Sequence, residues 1–388
     1  MDGGHIMSNN YAGMRQAFGG DTMARRRCAE RLRAMRASLA PLHARRSPTS
    51  LLLATWNIRD FDSNKFGYGP RLTESFYYLA EMAGCFDLIA VQEVNRDLAA
   101  LERLMRILGR QWDYIVTDAT EGAGGNGERM AFLFRSDKVW FRKIAGEVVL
   151  PDGQLVVSPK AVKPPKDKEA TTSVDTEDAR QQFARTPFLV AFQSGWFRFS
   201  LCTVHIYYGR DSGTKLKRRI AEIEQLVQFF ANRQDREAKD AASGAQAENY
   251  ILLGDFNVVS PEHQTMTALQ SHGFTVPDAI SGRKVRADGD HFYDQIAVRV
   301  LDPRFRVVTG GIVDMYADVF RDTEEDRSIY APLMPAEDPE EEGEKEATRE
   351  GLYRKWRTWQ MSDHAPLWVE IETDFTDDYL ERLAEAEE

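Results

Sequence analysis

Cysteine is scarce: the 388 residues hold three (Cys28, Cys85, Cys202), odd in number and without CxxC spacing. That excludes a disulfide framework and a thiolate zinc cluster, and it fits a reducing cytoplasm, the expected location. Long apolar runs are missing too. No stretch approaches the roughly 18 residues that span a bilayer, and the N-terminus lacks the apolar segment of roughly 7 to 15 residues that drives secretion. No membrane span is expected, and no internal repeat marks a solenoid or propeller.

A net positive charge is also lacking. There are 61 acids against 50 lysines and arginines, a net charge of -11, whereas phosphate binding normally wants a basic face. The excess is local. Residues 335–350 carry eight acids against two bases and residues 372–388 eight against one, leaving about +2 for the rest of the chain. What is present is ordinary for a folded protein: 43% hydrophobic and 29% charged residues, enough to build a sizeable core.

Residues 1–50 hold nine arginines and three acids. An Ala/Leu/Met/Arg-rich stretch from Asp21 to Ala40 reads as a helix ended near Pro41, a basic extension with a surface role or a DNA or protein partner. From Leu51 on, short apolar runs alternate with helical stretches. Strands are expected at Leu51–Ile58, Asp87–Val91, Met130–Arg135, Phe188–Phe192, Phe197–Val204, Tyr250–Gly254, Gln295–Val300 and Leu367–Ile371. Helices are expected at Arg71–Ala83, Asp97–Gly109, Thr214–Arg233 and Pro261–Ser271. Two segments, 152–178 and 322–350, read as mobile insertions that should not hold the core. The chain thus divides into an extension (1–50), one catalytic domain (51–372) and an acidic tail (373–388).

The informative feature is where polar residues meet the apolar runs. Leu51 to Asn57, Leu88 to Glu93, Leu201 to His205 and Ile251 to Asn257 each run from apolar residues into an amide, acid or imidazole. Glu128, Asp294 and Ser362-Asp363-His364 instead precede apolar runs. If all seven ends gather at one rim, some strands point toward it and others away, which requires mixed sheets. Singly, each has a plainer reading. Gly254-Asp-Phe-Asn257 could be only a turn, and His205 a satisfied rim histidine. Gathered, the oxygen-rich, sulfur-free set suits a hard cation, Mg²⁺ first, with Mn²⁺ or Ca²⁺ as alternatives.

Together these blocks resemble the endonuclease/exonuclease/phosphatase superfamily. The matching pieces are Trp56-Asn-Ile-Arg-Asp-Phe61, Phe86 to Val94, Glu128 to Arg135, Phe183-Ala-Arg-Thr-Pro187, Thr203-Val-His205, Gly254-Asp-Phe-Asn257, Tyr293-Asp-Gln-Ile296 and Ser362-Asp-His-Ala-Pro366. Within that superfamily they look most like the pancreatic-type deoxyribonuclease; His205 stands where abasic-site enzymes are expected to carry a tyrosine. The chain departs from the deoxyribonuclease pattern at Asn95, where an arginine is expected, and at Asn126, where a tyrosine is expected.

The resemblance implies an α/β (α+β) four-layer α/β/β/α sandwich, two packed mixed sheets flanked by helices, with one active site. It implies Glu93 as principal metal ligand with Asp363 and Asn57 nearby, and Asp255 and Asn257 at the scissile phosphate. His205 with Glu128 and His364 with Asp294 are implied as the two proton-transfer pairs, and Arg59 and Arg185 as contacts to flanking phosphates. A guanidinium fork matches phosphate oxygens, and a carboxylate beside an imidazole orients it and favours its protonated form. The expected activity is a metal-dependent DNA endonuclease of low sequence specificity, aided by the basic clusters Arg210–Arg219 and Arg283–Arg286. A phosphatase or phosphodiesterase acting on an inositol phosphate, lipid headgroup or nucleotide is the alternative. A scaffold that has kept the fold without catalysis is the third.

Overall fold

The structure is a computed structural model that describes residues 9–119, 127–159, 178–240, 247–286, 291–339 and 348–385. Thirteen strands lie among these residues. The first sheet contains β1 (Ser50–Phe61), β2 (Leu88–Val94), β3 (Trp112–Val116), β4 (Arg129–Arg135), β12 (Val307–Ile312) and β13 (Leu367–Glu372), in the order β12-β13-β1-β2-β4-β3. The second contains β5 (Trp140–Glu147), β8 (Phe188–Ser194), β9 (Phe197–His205), β10 (Tyr250–Asp255) and β11 (Asp294–Arg299), in the order β11-β10-β9-β8-β5. A separate ribbon pairs β6 (Val156–Pro159) with β7 (Asp178–Gln181). Each main sheet has one parallel pair, β1 with β2 and β9 with β10, and is otherwise antiparallel. Both sheets are therefore mixed, as the strand-end argument requires.

The near-continuous apolar run of β1 follows from burial on both faces. Leu51 and Leu53 join the core between the sheets, where they meet residues such as Phe132, Phe192 and Leu201. Leu52, Ala54 and Trp56 join a second core beneath helices. That outer layer uses α2 (Thr22–His43), α3 (Thr73–Ala83), α4 (Ala99–Leu108) and α8 (Arg349–Gln360), preceded in the chain by the short α1 (Met14–Ala17). Helices α5 (Gly213–Asp240) and α6 (Gln264–Leu269) cover the second sheet through Ile223, Leu226, Phe230, Met266 and Leu269. The short α7 (Glu324–Tyr330) and the C-terminal α9 (Thr376–Glu385) complete the set. The result is the expected four-layer sandwich, two mixed sheets flanked by helices.

Several expectations need correction. Helix α2 runs past Pro41 to His43, because a proline there forfeits one backbone bond while Leu42 beyond it remains buried in the core. Asp21 caps its other end, accepting from Ala24 N at 2.9 Å. Residues 322–350 were expected to be a mobile loop. The described part, 322–339 with 348–350, instead contains α7 and the start of α8, and it buries Tyr330 and Met334 in the core. Distant arginines help to neutralise its acids, Arg31 meeting Asp326 at 2.6 Å and Arg354 meeting Asp322 at 2.6 Å, alongside the local Arg321 and Arg327. In the other expected insertion, Val156 packs into the core between the sheets, while residues 160–177 fall outside the described residues. The acidic tail forms α9, which buries no residue among those described.

Candidate active site

The site forms where strands from the two sheets end side by side. On the second sheet, the register sets His205 of β9 opposite Asp255 of β10, and Asp255 opposite Asp294 of β11, so three functional groups stand on three adjacent strands. Close approach of β9 and β10 depends on Gly254. Its φ is +135°, and a Cβ there would lie 2.2 Å from the Val204 carbonyl oxygen. On the first sheet the register breaks between Val91 and Val94 in β2 and between Asn57 and Phe61 in β1. Such bulges re-aim side chains. Glu93 takes a left-handed φ of 59° within that break and turns its carboxylate toward Asn57.

The two sheets then share one constellation. Asn57 Nδ2 donates to Glu93 Oε1 at 3.0 Å and to Asp255 Oδ2 at 3.2 Å, linking the first sheet to the second. His205 Nε2 lies 3.6 Å from Asp255 Oδ2, and its Nδ1 lies 3.3 Å from Glu128 Oε2. His364 Nδ1 meets Asp294 Oδ2 at 2.5 Å. The loop before β13 is fastened to β1: Ser362 Oγ donates to the Asn57 carbonyl at 2.6 Å, and Trp56 Nε1 donates to the His364 carbonyl at 2.8 Å. Asn257, with φ of 52°, donates its backbone N–H to Asp255 Oδ1 at 2.9 Å and its side-chain amide to the Ile206 carbonyl at 2.7 Å.

Asp363 sits beside two guanidinium groups, 3.9 Å from Arg59 and 3.5 Å from Arg286. Arg185 Nε lies 3.3 Å from Glu128 Oε2. The eleven residues singled out in the sequence as site candidates are therefore brought together in one contiguous cluster. Two hollows lie elsewhere, of about 420 Å³ between α2 and β12 and about 840 Å³ around Trp196 and Arg304, and no residue of this constellation lines either one.

Electrostatics set the protonation states. Burial alone would raise the Glu128 carboxyl, but the close imidazole of His205 at 3.3 Å, with the charges of Arg185 and Lys65, outweighs it and holds the group well below its ordinary value. Asp255 is likewise penalised by burial, yet His364, His205 and the Asn257 and Asn57 hydrogen bonds keep it below its ordinary value. In the His364–Asp294 pair, burial opposes charging of the imidazole, but the carboxylate against Nδ1 prevails and holds the ring's proton. The site thus holds Glu128 and Asp255 ionised and keeps a proton on the His364–Asp294 pair, where burial pushes the Asp294 carboxyl up to about 6 while the carboxylate favours the charged imidazole.

Among the described residues, no three His, Cys, Asp or Glu side chains form a closed metal cage. The donor set still fits a hard divalent ion, because Mg²⁺ is commonly held by one or two carboxylates, with water and substrate oxygens completing its shell. Asn57 Oδ1 is a buried acceptor without a hydrogen-bond partner, beside the Glu93 carboxylate. Such an orphan suits a cation, since it would otherwise bear an uncompensated desolvation cost.

Two contributors, Lys65 and Asp60, carry no signal of their role in the sequence, and a third, Arg219, has a role other than the expected one. Lys65 Nζ reaches to 3.8 Å from Glu128 Oε1 and 3.9 Å from Asp60 Oδ1, from a polar loop whose pattern carries no period. Asp60 donates its backbone N–H to Glu93 Oε2 at 2.9 Å. Arg219, expected within a basic cluster that grips a nucleic-acid backbone, is instead fully buried. It donates to the Arg210 carbonyl at 3.0 Å, the Asn257 carbonyl at 2.9 Å and the Tyr208 carbonyl, so it ties α5 to two loops of the site. Its place on the inward face of α5, a turn ahead of Ile223 and Leu226, was the available signal. Asn126, the other noted departure, lies outside the described residues.

No family model matches the chain, and no curated protein matches it. Among solved structures it is similar to the mannosyl-6-phosphatase of Bacteroides thetaiotaomicron (19% identity, 83% of this chain and 99% of that one, TM-score 0.47). It is also similar to the human Nocturnin catalytic domain with bound sulfate anion (13% identity, 84% and 95% covered, TM-score 0.47). An endonuclease/exonuclease/phosphatase family protein from Bacteroides thetaiotaomicron is similar over 84% of this chain and 98% of its own (20% identity, TM-score 0.48), so that family stands among the structural neighbours of this chain.

Proposed function

We propose that this chain is a phosphodiesterase of the endonuclease/exonuclease/phosphatase superfamily that hydrolyses the DNA backbone with low sequence specificity. One observation carries the reading: two imidazole–carboxylate pairs, His205–Glu128 and His364–Asp294, flank the Asp255–Asn57–Glu93 link within one cleft. Two proton-transfer centres around one position are what an in-line displacement at phosphorus needs. The oxygen of a water forms the new P–O bond while the ester P–O bond breaks. One imidazole takes the water's proton and the other gives a proton to the departing oxygen.

Glu128 and Asp294 hold the rings in orientation. His364, which keeps its proton, can also hydrogen-bond a phosphoryl oxygen. Asp255 and Asn257 border the scissile phosphate, and Arg59 and Arg185 meet its neighbours. Glu93, with Asp363 and Asn57, would hold a divalent cation, Mg²⁺ by preference, which when bound neutralises charge gathering on the phosphoryl oxygens.

Purified protein incubated with supercoiled plasmid in a series of Mg²⁺, Mn²⁺ and Ca²⁺ tests this. Nicking to open circles that EDTA abolishes is expected. Intact plasmid alongside vigorous hydrolysis of a small phosphate ester would replace the DNA reading with the small-phosphoester one.

A further inference from the structure

The loop between β1 and α3 contains two side chains that the proposed hydrolysis does not use. Lys65 presents its ammonium to Glu128 and Asp60, at the wall of the cleft that carries His205. Phe66, next in the chain, is 39% exposed. Its ring packs on Trp359 with centroids 4.7 Å apart, and Trp359 stacks on Tyr68 at 4.9 Å and 13°. The guanidinium of Arg59 lies 3.7 Å from the Trp359 ring centroid, and the same group reaches Asp363 on the His364 side of the site. Cation, aromatic, aromatic and cation therefore follow one another from Glu128, the partner of His205, to Asp363, the neighbour of His364.

This row is built into the fold. Arg71, fully buried, donates to the Asp60 carbonyl at 2.8 Å and to the Met361 carbonyl at 3.2 Å, tying the loop to the end of α8. Ser63 Oγ donates to Asp60 Oδ1 at 2.5 Å, and Gly69 N donates to Asn64 Oδ1 at 2.8 Å. Tyr68 donates its hydroxyl to Asp338 at 2.5 Å. These bonds fix the path of the loop that carries Lys65 and Phe66, so little ordering of its backbone remains to oppose binding.

We infer that Lys65 and Phe66 form a subsite for the nucleotide next to the scissile phosphate, and that it selects a strand whose base at that position is unpaired. The inference rests on the nucleic-acid reading of the site and narrows it. The ammonium matches a backbone phosphate, and an exposed aromatic ring stacks on any base that is free of a duplex, whatever its identity. Low sequence specificity follows from the same chemistry, since no base-edge donor or acceptor is involved.

The test uses the full chain in EDTA, so that nothing turns over. The probes are a fluorescein-labelled single-stranded oligothymidylate, the same oligomer with abasic positions, and a duplex of equal length, read by fluorescence anisotropy. Phe66→Ala and Phe66→Leu should each weaken single-strand binding by about tenfold relative to duplex binding, within the range of one base–aromatic stack. Phe66→Tyr should restore it. The abasic oligomer should lose the same factor on the parent and no more on Phe66→Ala. Lys65→Met should reduce the slope of log affinity against log salt by about 0.7, the loss of one phosphate contact on a single strand.

Equal losses for single strand and duplex, or ring and base deletions whose effects multiply, would overturn the subsite while the endonuclease reading stands. A parent that binds and nicks no polynucleotide yet hydrolyses a small ester would overturn both, and the cause would lie in the function rather than in the subsite.

Discussion

In α2, Arg27 and Arg31 close on carboxylates of other elements at 2.7 Å (Glu74) and 2.6 Å (Asp326), both acids buried. At the site, Arg185 and Arg59 stand 3.3 Å and 3.9 Å from Glu128 and Asp363. Both regions gather arginines beside acids, but the first set makes short contacts and the second leaves room. Around the cleft, Asn57 Oδ1 and Asp294 Oδ1 also stay buried without partners. Tight pairing marks charge consumed by the fold. Loose pairing beside orphaned acceptors leaves charge that a ligand can meet, since an unmet buried polar group carries a cost that an incoming partner relieves.

The largest expected effects test the cleft side of this contrast. His205→Ala and His364→Ala should each lower kcat on the nicked substrate by about 10² to 10⁴, the usual contribution of a positioned acid or base. Circular dichroism should show the fold retained. Activity equal to the parent in both variants would remove these imidazoles from the mechanism and leave the cleft no different from α2.

Next come paired arginine deletions. Arg27→Ala leaves Glu74 buried without its counter-ion and should cost about 3 kcal/mol in urea unfolding, with kcat/KM unchanged. Arg185→Ala should do the reverse, reducing kcat/KM about tenfold while lowering stability less than Arg27→Ala does, since its 3.3 Å contact to Glu128 is the looser one. If Arg185→Ala destabilised the fold as much as Arg27→Ala, the cleft arginines would belong with the structural set.

The contrast also explains what could be read from the sequence. The cleft was legible because its groups sit at strand ends, where an apolar run stops abruptly, and because pleating and register alone then bring His205, Asp255 and Asp294 side by side. The eight expected strands are present. The missed ones include β5 and β12, edge strands whose outer residues face solvent and so lack alternation. Composition misled at 322–350. An acid-rich segment reads as unpaired in isolation, and nothing local reveals that Arg31 of α2 will meet Asp326. Lys65 was invisible for a related reason: its role depends on where a pinned loop delivers it, not on its neighbours in the chain.

The smallest effect concerns pH and isolates one acid of the α2 face. Glu81 is almost fully buried, and burial pushes its carboxyl up to about 7, only partly offset by the Asn9 hydrogen bond. Arg36, whose side chain is 45% exposed, is screened by water and does not reverse this. The folded chain therefore holds a proton at Glu81 that the unfolded chain releases near pH 4.5, the ordinary value. Where the folded state binds more protons, stability falls as pH rises. This contribution should be intact below about pH 4.5, decline through the interval to about 7 and then level off. Glu81→Gln, which fixes the neutral form, should flatten that part of the Tm–pH curve and raise Tm at pH 8 relative to the parent. A parent curve rising between pH 5 and 7, with the slope lost in Glu81→Gln, would mean that Arg36 holds Glu81 ionised and that the α2 pairs are stronger than their exposure suggests.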